Sequence, residues 1–297
     1  MTEAGLRKLL TRHGLSAGRR LGQHYLTSEP VLDRIVGALG LEGGDPVLEV
    51  GPGVGTLTAR LCAHGARVTA AELDRSLGPA LAEVLGGRPG GFAAPGGIGE
   101  AFAGGVRVIW GDAVKLPWGA LADLEPGPWR LCSNLPYYLT GPFLASFLEG
   151  GLPWTSAVLL VQQESADRMM AVPRTKAYGA FTCLVGYYAT VERLFPVGRA
   201  LFYPPPRVDS IVIRLAARPA PPVPAPPAIL RRVIRAAFAL RRKTLRNALS
   251  AGLRLAPATV EAAIAKVGLA PTARGEELGL PEFSELALVL AASEQAP

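Results

Sequence analysis

The segment Asn134-Leu135-Pro136-Tyr137 combines residue types that could act on the exocyclic amine of a nucleobase. Methylating such an amine is difficult because its lone pair is delocalised into the ring, so a catalyst gains by accepting both amino hydrogens. The side-chain oxygen of Asn134 can accept one hydrogen, and the main-chain carbonyl of Leu135 or Pro136 can accept the other. The proline ring fixes the direction of that carbonyl, and Tyr137 can stack on the base. Ordinary turn chemistry at a strand end is the alternative interpretation.

A glycine-rich turn lies upstream of this segment. The apolar run at residues 47–50 predicts a buried strand, and the apolar residues after position 56 recur at helical spacing. Between them, Gly51, Gly53 and Gly55 occupy alternate positions. Glycine adopts backbone angles that other residues avoid, and it lets a ligand approach the main chain closely. An ordinary strand-to-helix turn could show the same pattern, so the glycines alone do not identify a ligand site.

Two acidic residues at the ends of later apolar runs favour a nucleoside ligand. Glu72 follows the glycine turn by about 20 residues, where an acid in dinucleotide-type folds accepts hydrogen bonds from ribose hydroxyls. Asp112 ends the next run and could accept from an adenine amino group. The fingerprint for a pyrophosphate is Gly-x-Gly-x-x-Gly, whereas here one residue separates the second and third glycines. S-adenosylmethionine, which has no pyrophosphate, therefore fits better than a dinucleotide.

The spacing of apolar runs predicts an α/β sheet in which strands alternate with helices. The predicted strands end at residues 50, 72, 110, 133 and 161, and two closing strands follow at 191–195 and 210–215. Ligands of open α/β sheets bind beyond the carboxyl ends of the strands. Gly51, Glu72, Asp112 and Asn134 should therefore face one crevice.

Composition limits the class of protein. The 297 residues are 49% apolar, without an apolar run long enough to span a bilayer or a secretory opening, which predicts a soluble, cytoplasmic protein. The three cysteines and three histidines lack metal-ligand spacing, so we expect no metal. The net charge is +7, and basic residues cluster in two places: the N-terminal arm, which includes Arg19 and Arg20, and the segment 231–246. Such clusters are typical of proteins that bind a polyanion.

Two breaks in composition predict the domain organisation. Residues 86–105 are rich in Gly, Pro and Ala and read as a surface insertion. Residues 217–227 are mostly Pro and Ala, which is typical of a semi-rigid linker. We therefore predict a first domain at 1–216 and a helical domain at 228–297. In the helical domain, apolar residues form one face and Arg231, Arg235, Arg242 and Arg246 form another.

A loop stiffened by prolines presents Phe202 between the two closing strands. A base inside a helix is unreachable, so an enzyme that modifies it must act on a loop or flip its target. Phe202 is a candidate second stacking wall opposite Tyr137, since aromatic platforms hold bases in nucleic-acid sites. Core filling is the alternative role for Phe202.

These motifs in combination resemble the KsgA-type ribosomal RNA adenine dimethylases, from about residue 18 to the last helices. The motifs that carry the resemblance are Gly22-Gln23-His24-Tyr25-Leu26, Glu49 to Gly55, Glu72-Leu73-Asp74, Gly111-Asp112-Ala113, Asn134 to Tyr137, Lys176 to Gly179, Phe202 to Ser210 and Arg241-Arg242-Lys243-Thr244-Leu245-Arg246-Asn247. The resemblance implies a Rossmann-like class I methyltransferase domain with a mostly parallel seven-stranded sheet and a small all-helical C-terminal domain. It also implies dimethylation, by S-adenosylmethionine, of two adjacent adenosines in the 3′-terminal hairpin loop of small-subunit (16S) ribosomal RNA during subunit assembly.

The resemblance also assigns roles to residues by position. The donor would contact Gln23, His24, Leu26, Gly51, Gly53, Glu72, Asp112 and Asn134. The target base would be held by Asn134, Leu135, Pro136, Tyr137 and Phe202. RNA would be bound by Arg231, Arg235, Arg241, Arg242, Lys243 and Arg246, and we expect a monomer.

The sequence departs from the family pattern at three places. His24-Tyr25 stands where the family usually has Asn-Phe, Ala180-Phe181 replaces Arg-Leu, and the insertion at 86–105 is longer than expected. These departures bear on donor affinity and RNA contacts and leave Asn134 to Tyr137 intact. Three alternatives remain: an erythromycin-resistance-type methylase of large-subunit RNA, a non-catalytic RNA-binding assembly factor on the same scaffold, and a small-molecule methyltransferase.

Overall fold

The chain folds into two compact units. The structure, a computed structural model, describes residues 1–17, 23–86, 100–101, 106–125, 127–240 and 242–294. The first unit comprises Met1–Ala166 and Val191–Ala217, and the second comprises Asp167–Thr190 and Arg218–Pro297. The boundary after Ala217 lies where the sequence analysis puts the end of the first domain, but Asp167–Thr190 packs with the second unit. Distant parts of the chain share that core, which local composition does not reveal.

Ten strands are present among the described residues. In chain order they are β1 (Tyr25–Leu26), β2 (Pro46–Val50), β3 (Arg67–Glu72), β4 (Glu100–Ala101), β5 (Arg107–Trp110), β6 (Trp129–Asn134), β7 (Trp154–Gln162), β8 (Ala189–Val197), β9 (Phe202–Tyr203) and β10 (Ser210–Ala217). Eight of them form one sheet in the order β4-β5-β3-β2-β6-β7-β10-β8, while β1 and β9 form a separate antiparallel ribbon. Without the two-residue β4, the large sheet has the seven strands that the family resemblance implies.

The centre of the large sheet is parallel. β2 pairs in parallel with β3 and β6, β3 with β5, and β6 with β7, whereas β10 runs antiparallel to β7. All five residues of β2 are buried, because a parallel strand at the centre of such a sheet is covered on both faces. The carboxyl ends of β2, β3, β5 and β6 therefore meet at one edge. This confirms the predicted fold class.

Eleven α-helices surround and follow the strands of the described chain. They are α1 (Glu3–Arg12), α2 (Glu29–Leu39), α3 (Thr56–Ala63), α4 (Gly78–Val84), α5 (Thr140–Glu149), α6 (Gln163–Met169), α7 (Ala180–Tyr188), α8 (Pro227–Ala239), α9 (Leu245–Leu253), α10 (Pro257–Lys266) and α11 (Leu280–Glu294). α2 begins after Ser28 and has a proline in its first turn, where the missing backbone N–H costs no helical hydrogen bond. The basic N-terminal arm contains α1, whose apolar face is buried with Tyr25 and Val54.

Two compositional predictions can be compared with the described residues. In the predicted surface insertion at 86–105, Glu100–Ala101 pairs with β5; residues 87–99 and 102–105 lie outside the described part of the chain. In the Pro-rich segment at 217–227, the side chains of Val223 and Ala225 are buried in the core of the second unit. The segment therefore packs against its own unit and is more than a spacer.

Candidate active site

A cavity of about 280 Å³ opens beyond the carboxyl ends of the parallel strands in the first unit. Most of the residues assigned to a donor or to a target base line this cavity. They are Gln23, His24, Leu26, Gly51, Gly53, Glu72, Asp112, Asn134, Leu135, Pro136 and Tyr137. The topology therefore brings these positions, which span more than a hundred residues of sequence, into one site.

The glycine turn forms one wall of the cavity. Its backbone conformation favours glycine over larger residues. Gly51, Gly53 and Gly55 all have positive φ, at 69°, 60° and 86°. A Cβ added at Gly53 would lie 2.9 Å from Cε1 of Tyr25, and one at Gly51 would lie 3.5 Å from Cδ of Pro136. A side chain at these positions would fill space beside the cavity. The turn thus fits a ligand that approaches the main chain closely.

Glu72 closes the turn through main-chain hydrogen bonds. Its two carboxylate oxygens accept from the amide nitrogens of Gly53, at 3.1 Å, and Asp74, at 2.8 Å. Burial raises the pKa of this carboxyl above its usual value. Since two carboxylate oxygens offer about four acceptor positions, Glu72 can still accept from ribose hydroxyls.

Asp112 is placed by a similar contact at the end of β5. Its Oδ1 accepts from the amide nitrogen of Val114 at 3.0 Å, and Lys115 Nζ lies 3.7 Å from its Oδ2. Its carboxylate retains acceptor positions beyond these contacts. The Asp112 carboxylate can therefore accept from the amino group of an adenine, and this role stays a prediction.

The orientation of Asn134 is set by one hydrogen bond. Its amide nitrogen donates to the main-chain carbonyl of His24 at 3.0 Å, so the amide oxygen is the acceptor that this side chain can offer. The carbonyl of Pro136 already accepts from the amide nitrogen of Leu139 at 2.9 Å. The Pro136 carbonyl therefore has one lone pair left, and of the two carbonyls considered from the sequence we favour that of Leu135 as the second acceptor for an amine.

Tyr137 is held on two sides. Its hydroxyl lies 2.8 Å from Oγ of Ser210, and its ring stacks on the imidazole of His24 with centroids 5.6 Å apart and planes 25° from parallel. Burial raises the pKa of the Tyr137 hydroxyl. His24 is fixed in turn, because its Nδ1 donates to the carbonyl of Pro204 at 2.7 Å. The imidazole and the main chain of His24 thus both support the Asn134 to Tyr137 segment.

Phe202 is not among the residues that line this cavity. Its side chain is 2% exposed and belongs to the main hydrophobic core of the first unit. It pairs with Leu26 in the β1–β9 ribbon, and both side chains are buried in the same core. This burial agrees with the alternative role of core filling, and the role of Phe202 as a stacking wall stays a prediction.

Glu49 is a buried acid beneath the glycine turn. It is 1% exposed, and its Oε2 lacks a hydrogen-bond partner within the described residues. Burial, with a smaller contribution from the charge of Glu72, raises the pKa of Glu49 to about 8. The carboxyl of Glu49 is therefore protonated at neutral pH.

Comparison with known proteins identifies the family. Residues 14–277 match the family model described as ribosomal RNA adenine dimethylase. A protein of Pelotomaculum thermopropionicum named ribosomal RNA small subunit methyltransferase A is 41% identical over 294 residues, which cover 96% of this chain and 95% of that protein. The protein of the same name from Geobacillus thermodenitrificans is 37% identical, with 97% and 96% covered. The chain belongs to the ribosomal RNA adenine dimethylase family. It is therefore an S-adenosylmethionine-dependent methyltransferase that acts on adenine in ribosomal RNA.

Solved structures share the fold. A dimethyladenosine transferase from Plasmodium falciparum has the same fold, with a TM-score of 0.67 at 22% identity over 91% of this chain and 98% of that one. The 23S rRNA methyltransferase ErmE matches with a TM-score of 0.58 at 26% identity over 90% and 99%. The cavity of this dimethylase family member can accommodate the donor. Its glycine wall admits a ligand close to the main chain, and the carboxylates of Glu72 and Asp112 offer acceptors for a nucleoside.

Three residues of the site received no role from the sequence. Leu73 and Tyr138 line the cavity although their side chains are 52% and 57% exposed, and Ser210 holds the Tyr137 hydroxyl. Leu73 and Tyr138 directly follow residues that the sequence did assign, so adjacency to a strand end was the available signal. Ser210 is 73 residues from Tyr137, so only the fold could pair them.

The basic residues assigned to RNA lie in the second unit of this dimethylase. Arg231 and Arg235 are exposed on α8, and Arg242 and Lys243 are exposed in the turn before α9. Arg246 forms an ion pair with Glu261, so part of its charge is already neutralised within the protein. Arg19, Arg20 and Arg241, together with residues 21 and 22, lie outside the described residues.

Two further features are absent from the described residues. They contain no group of three or more His, Cys, Asp and Glu side chains placed to hold a metal ion. No helix in the same ranges is long and apolar enough to cross a membrane.

Proposed function

We propose that this protein dimethylates the exocyclic amines of two adjacent adenosines in the 3′-terminal hairpin loop of small-subunit (16S) ribosomal RNA, within an assembling subunit. The observation that carries the proposal is the geometry of Asn134, whose amide nitrogen is bound to His24 and whose oxygen remains the acceptor. The small-subunit specificity is supported by the names of relatives that are 37–41% identical over nearly the whole chain. That the protein acts as a monomer in the cytoplasm stays a prediction.

The residues of the site divide the work as follows. Asn134 Oδ1 and the Leu135 carbonyl accept the two amino hydrogens of adenine, which draws the nitrogen lone pair out of the ring. Tyr137, held by Ser210 and His24, offers a ring face on which the target base stacks. Bound S-adenosylmethionine supplies an activated methyl group, so alignment of the amine provides much of the remaining catalysis.

The donor would be held by the opposite side of the cavity. Glu72 accepts from the ribose hydroxyls, Asp112 accepts from the adenine amino group, and the turn at Gly51 and Gly53 admits the rest of the molecule. Gln23, His24 and Leu26 would complete this wall. In the second unit, the exposed basic residues would neutralise RNA phosphates.

Methyl transfer to isolated subunits tests the proposal. Small subunits that lack these methyl groups, and large subunits as a comparison, are incubated with labelled S-adenosylmethionine, and the modified nucleoside is identified. Dimethyladenosine in the 3′ hairpin of the small subunit is the expected result. Label in the large subunit would assign the protein to the resistance-methylase group, to which the ErmE match also points. Tight subunit binding without label would indicate an assembly factor that has lost catalysis.

A further inference from the structure

Tyr138 is a large aromatic residue in the site whose ring the proposed mechanism does not use. The side chain is 57% exposed, yet it lines the same cavity as Glu72 and Asp112. An aromatic ring is costly to leave in water, and an exposed ring at the edge of a ligand cavity gains contact area when the ligand binds.

The local backbone turns Tyr138 away from its neighbour. Tyr137–Leu139 is a 3₁₀ turn, closed by the hydrogen bond from the Leu139 nitrogen to the Pro136 carbonyl. A 3₁₀ turn has three residues per turn, so successive side chains point about 120° apart. The Tyr137 ring, which carries the proposed base-stacking face, is held in place by the contact of its hydroxyl with Ser210. The ring of Tyr138 therefore points in a different direction.

Two observations place Tyr138 on the donor side of the cavity. Partial burial raises the pKa of its hydroxyl, and the negative charges of Glu72 and Asp112 raise it further, so both carboxylates lie within electrostatic reach. In the sheet order, β2 separates β3 from β6, which puts the ends of those strands roughly 10 Å apart. Leu73 follows β3 and Tyr138 lies shortly after β6, so the two exposed side chains flank the cavity mouth.

We propose that the ring of Tyr138 closes over the adenosine part of the bound donor and sets how tightly the donor and its demethylated product are held. This inference rests on the proposed assignment of Glu72 and Asp112 to the donor. A tyrosine buries about 150–250 Å² when it is fully covered. Covering roughly a third of that area corresponds to about a tenfold change in Kd, or ~1.4 kcal/mol.

Binding of S-adenosylhomocysteine to the full chain, measured by titration calorimetry, tests this role without requiring turnover. Tyr138→Ala should raise Kd about tenfold, whereas Tyr138→Phe, which keeps the ring, should stay within about twofold of the unchanged protein. Val208→Ala is the matched control, because Val208 is a similarly exposed apolar residue of the same unit that does not line the cavity. It should leave Kd unchanged, and thermal unfolding should show that all three variants are folded.

Binding of the same variants to small subunits separates the donor from the RNA. The affinity of Tyr138→Ala for subunits should match that of the unchanged protein. An unchanged Kd for S-adenosylhomocysteine, or equal losses in the alanine and phenylalanine variants, would overturn the role of the ring. A loss confined to subunit binding would move Tyr138 to the RNA surface. If the unchanged protein itself failed to bind S-adenosylhomocysteine, the proposed donor site would be wrong instead.

Discussion

Replacing Gly53 by alanine tests whether close approach shapes the donor wall. Gly53 has φ of +60°, and an added Cβ would lie 2.9 Å from the Tyr25 ring. Gly40 provides the matched control, because its φ is +62° but nothing lies within 4 Å of an added Cβ. The left-handed conformation costs an alanine about 1–2 kcal/mol at either position. At Gly53 the contact with Tyr25 adds overpacking, which typically costs about 1–3 kcal/mol.

The two costs predict different thermal shifts. Gly40→Ala should lower the free energy of unfolding by about 1–2 kcal/mol, and Gly53→Ala by about 2–5 kcal/mol. In a unit of this size, each 1 kcal/mol lowers Tm by roughly 2–4 °C. Gly53→Ala should also weaken binding of S-adenosylhomocysteine, because the Gly53 amide donates to Glu72, while Gly40→Ala should bind normally. Calorimetry measures both quantities. Equal Tm shifts with unchanged binding in both variants would refute the close-approach argument.

Three further predictions concern catalysis, RNA binding and pH. Asn134→Ala should lower kcat by about 10²–10³ in a methyl-transfer assay while subunit binding persists; near-normal turnover would rule out its acceptor role. The double variant Arg242→Gln, Lys243→Gln should weaken RNA binding and flatten its dependence on log salt by about 1–2, and an unaltered slope would exclude phosphate contacts there. Burial raises the pKa of Glu49 in the folded state to about 8, compared with 4.5 in the unfolded chain. The protonated Glu49 therefore contributes fully to the free energy of unfolding below pH 4.5, and this contribution is lost as the pH rises towards 8. Glu49→Gln should flatten this fall in the free energy of unfolding, measured by denaturant titration across that pH range; a fall as steep as in the unchanged protein would mean that Glu49 is not its source.

The sequence was sufficient to predict features that depend on neighbouring residues in the chain. Positive φ is a property of the glycine backbone itself, so alternate glycines after a buried strand predict the turn at Gly51 to Gly55. An acid or amide at the end of an apolar run lies at the carboxyl edge of a parallel sheet, which brought Glu72, Asp112 and Asn134 together as expected.

The sequence was insufficient where a side chain has neighbours far along the chain. Phe202 occupies an exposed-looking Pro-rich loop, yet pairing of β9 with β1 buries its ring in the core. Residues 167–190 continue the first domain in sequence, but Tyr178 and Cys183 share their core with α8 and α11. Hydrophobicity alone does not say which core an apolar residue joins, because burial is non-directional.

By itself, then, the sequence determined the fold class, the strand-end residues and the family, since these depend on spacing and on backbone preferences of individual residues. Tertiary structure alone decided that the Asn134 amide nitrogen binds the His24 carbonyl and that the Tyr137 hydroxyl contacts Ser210. It also decided that Glu49 is buried with one carboxylate oxygen that has no partner among the described residues. Hydrogen bonds are directional and short, so they exist only after the strands have fixed the positions of both partners.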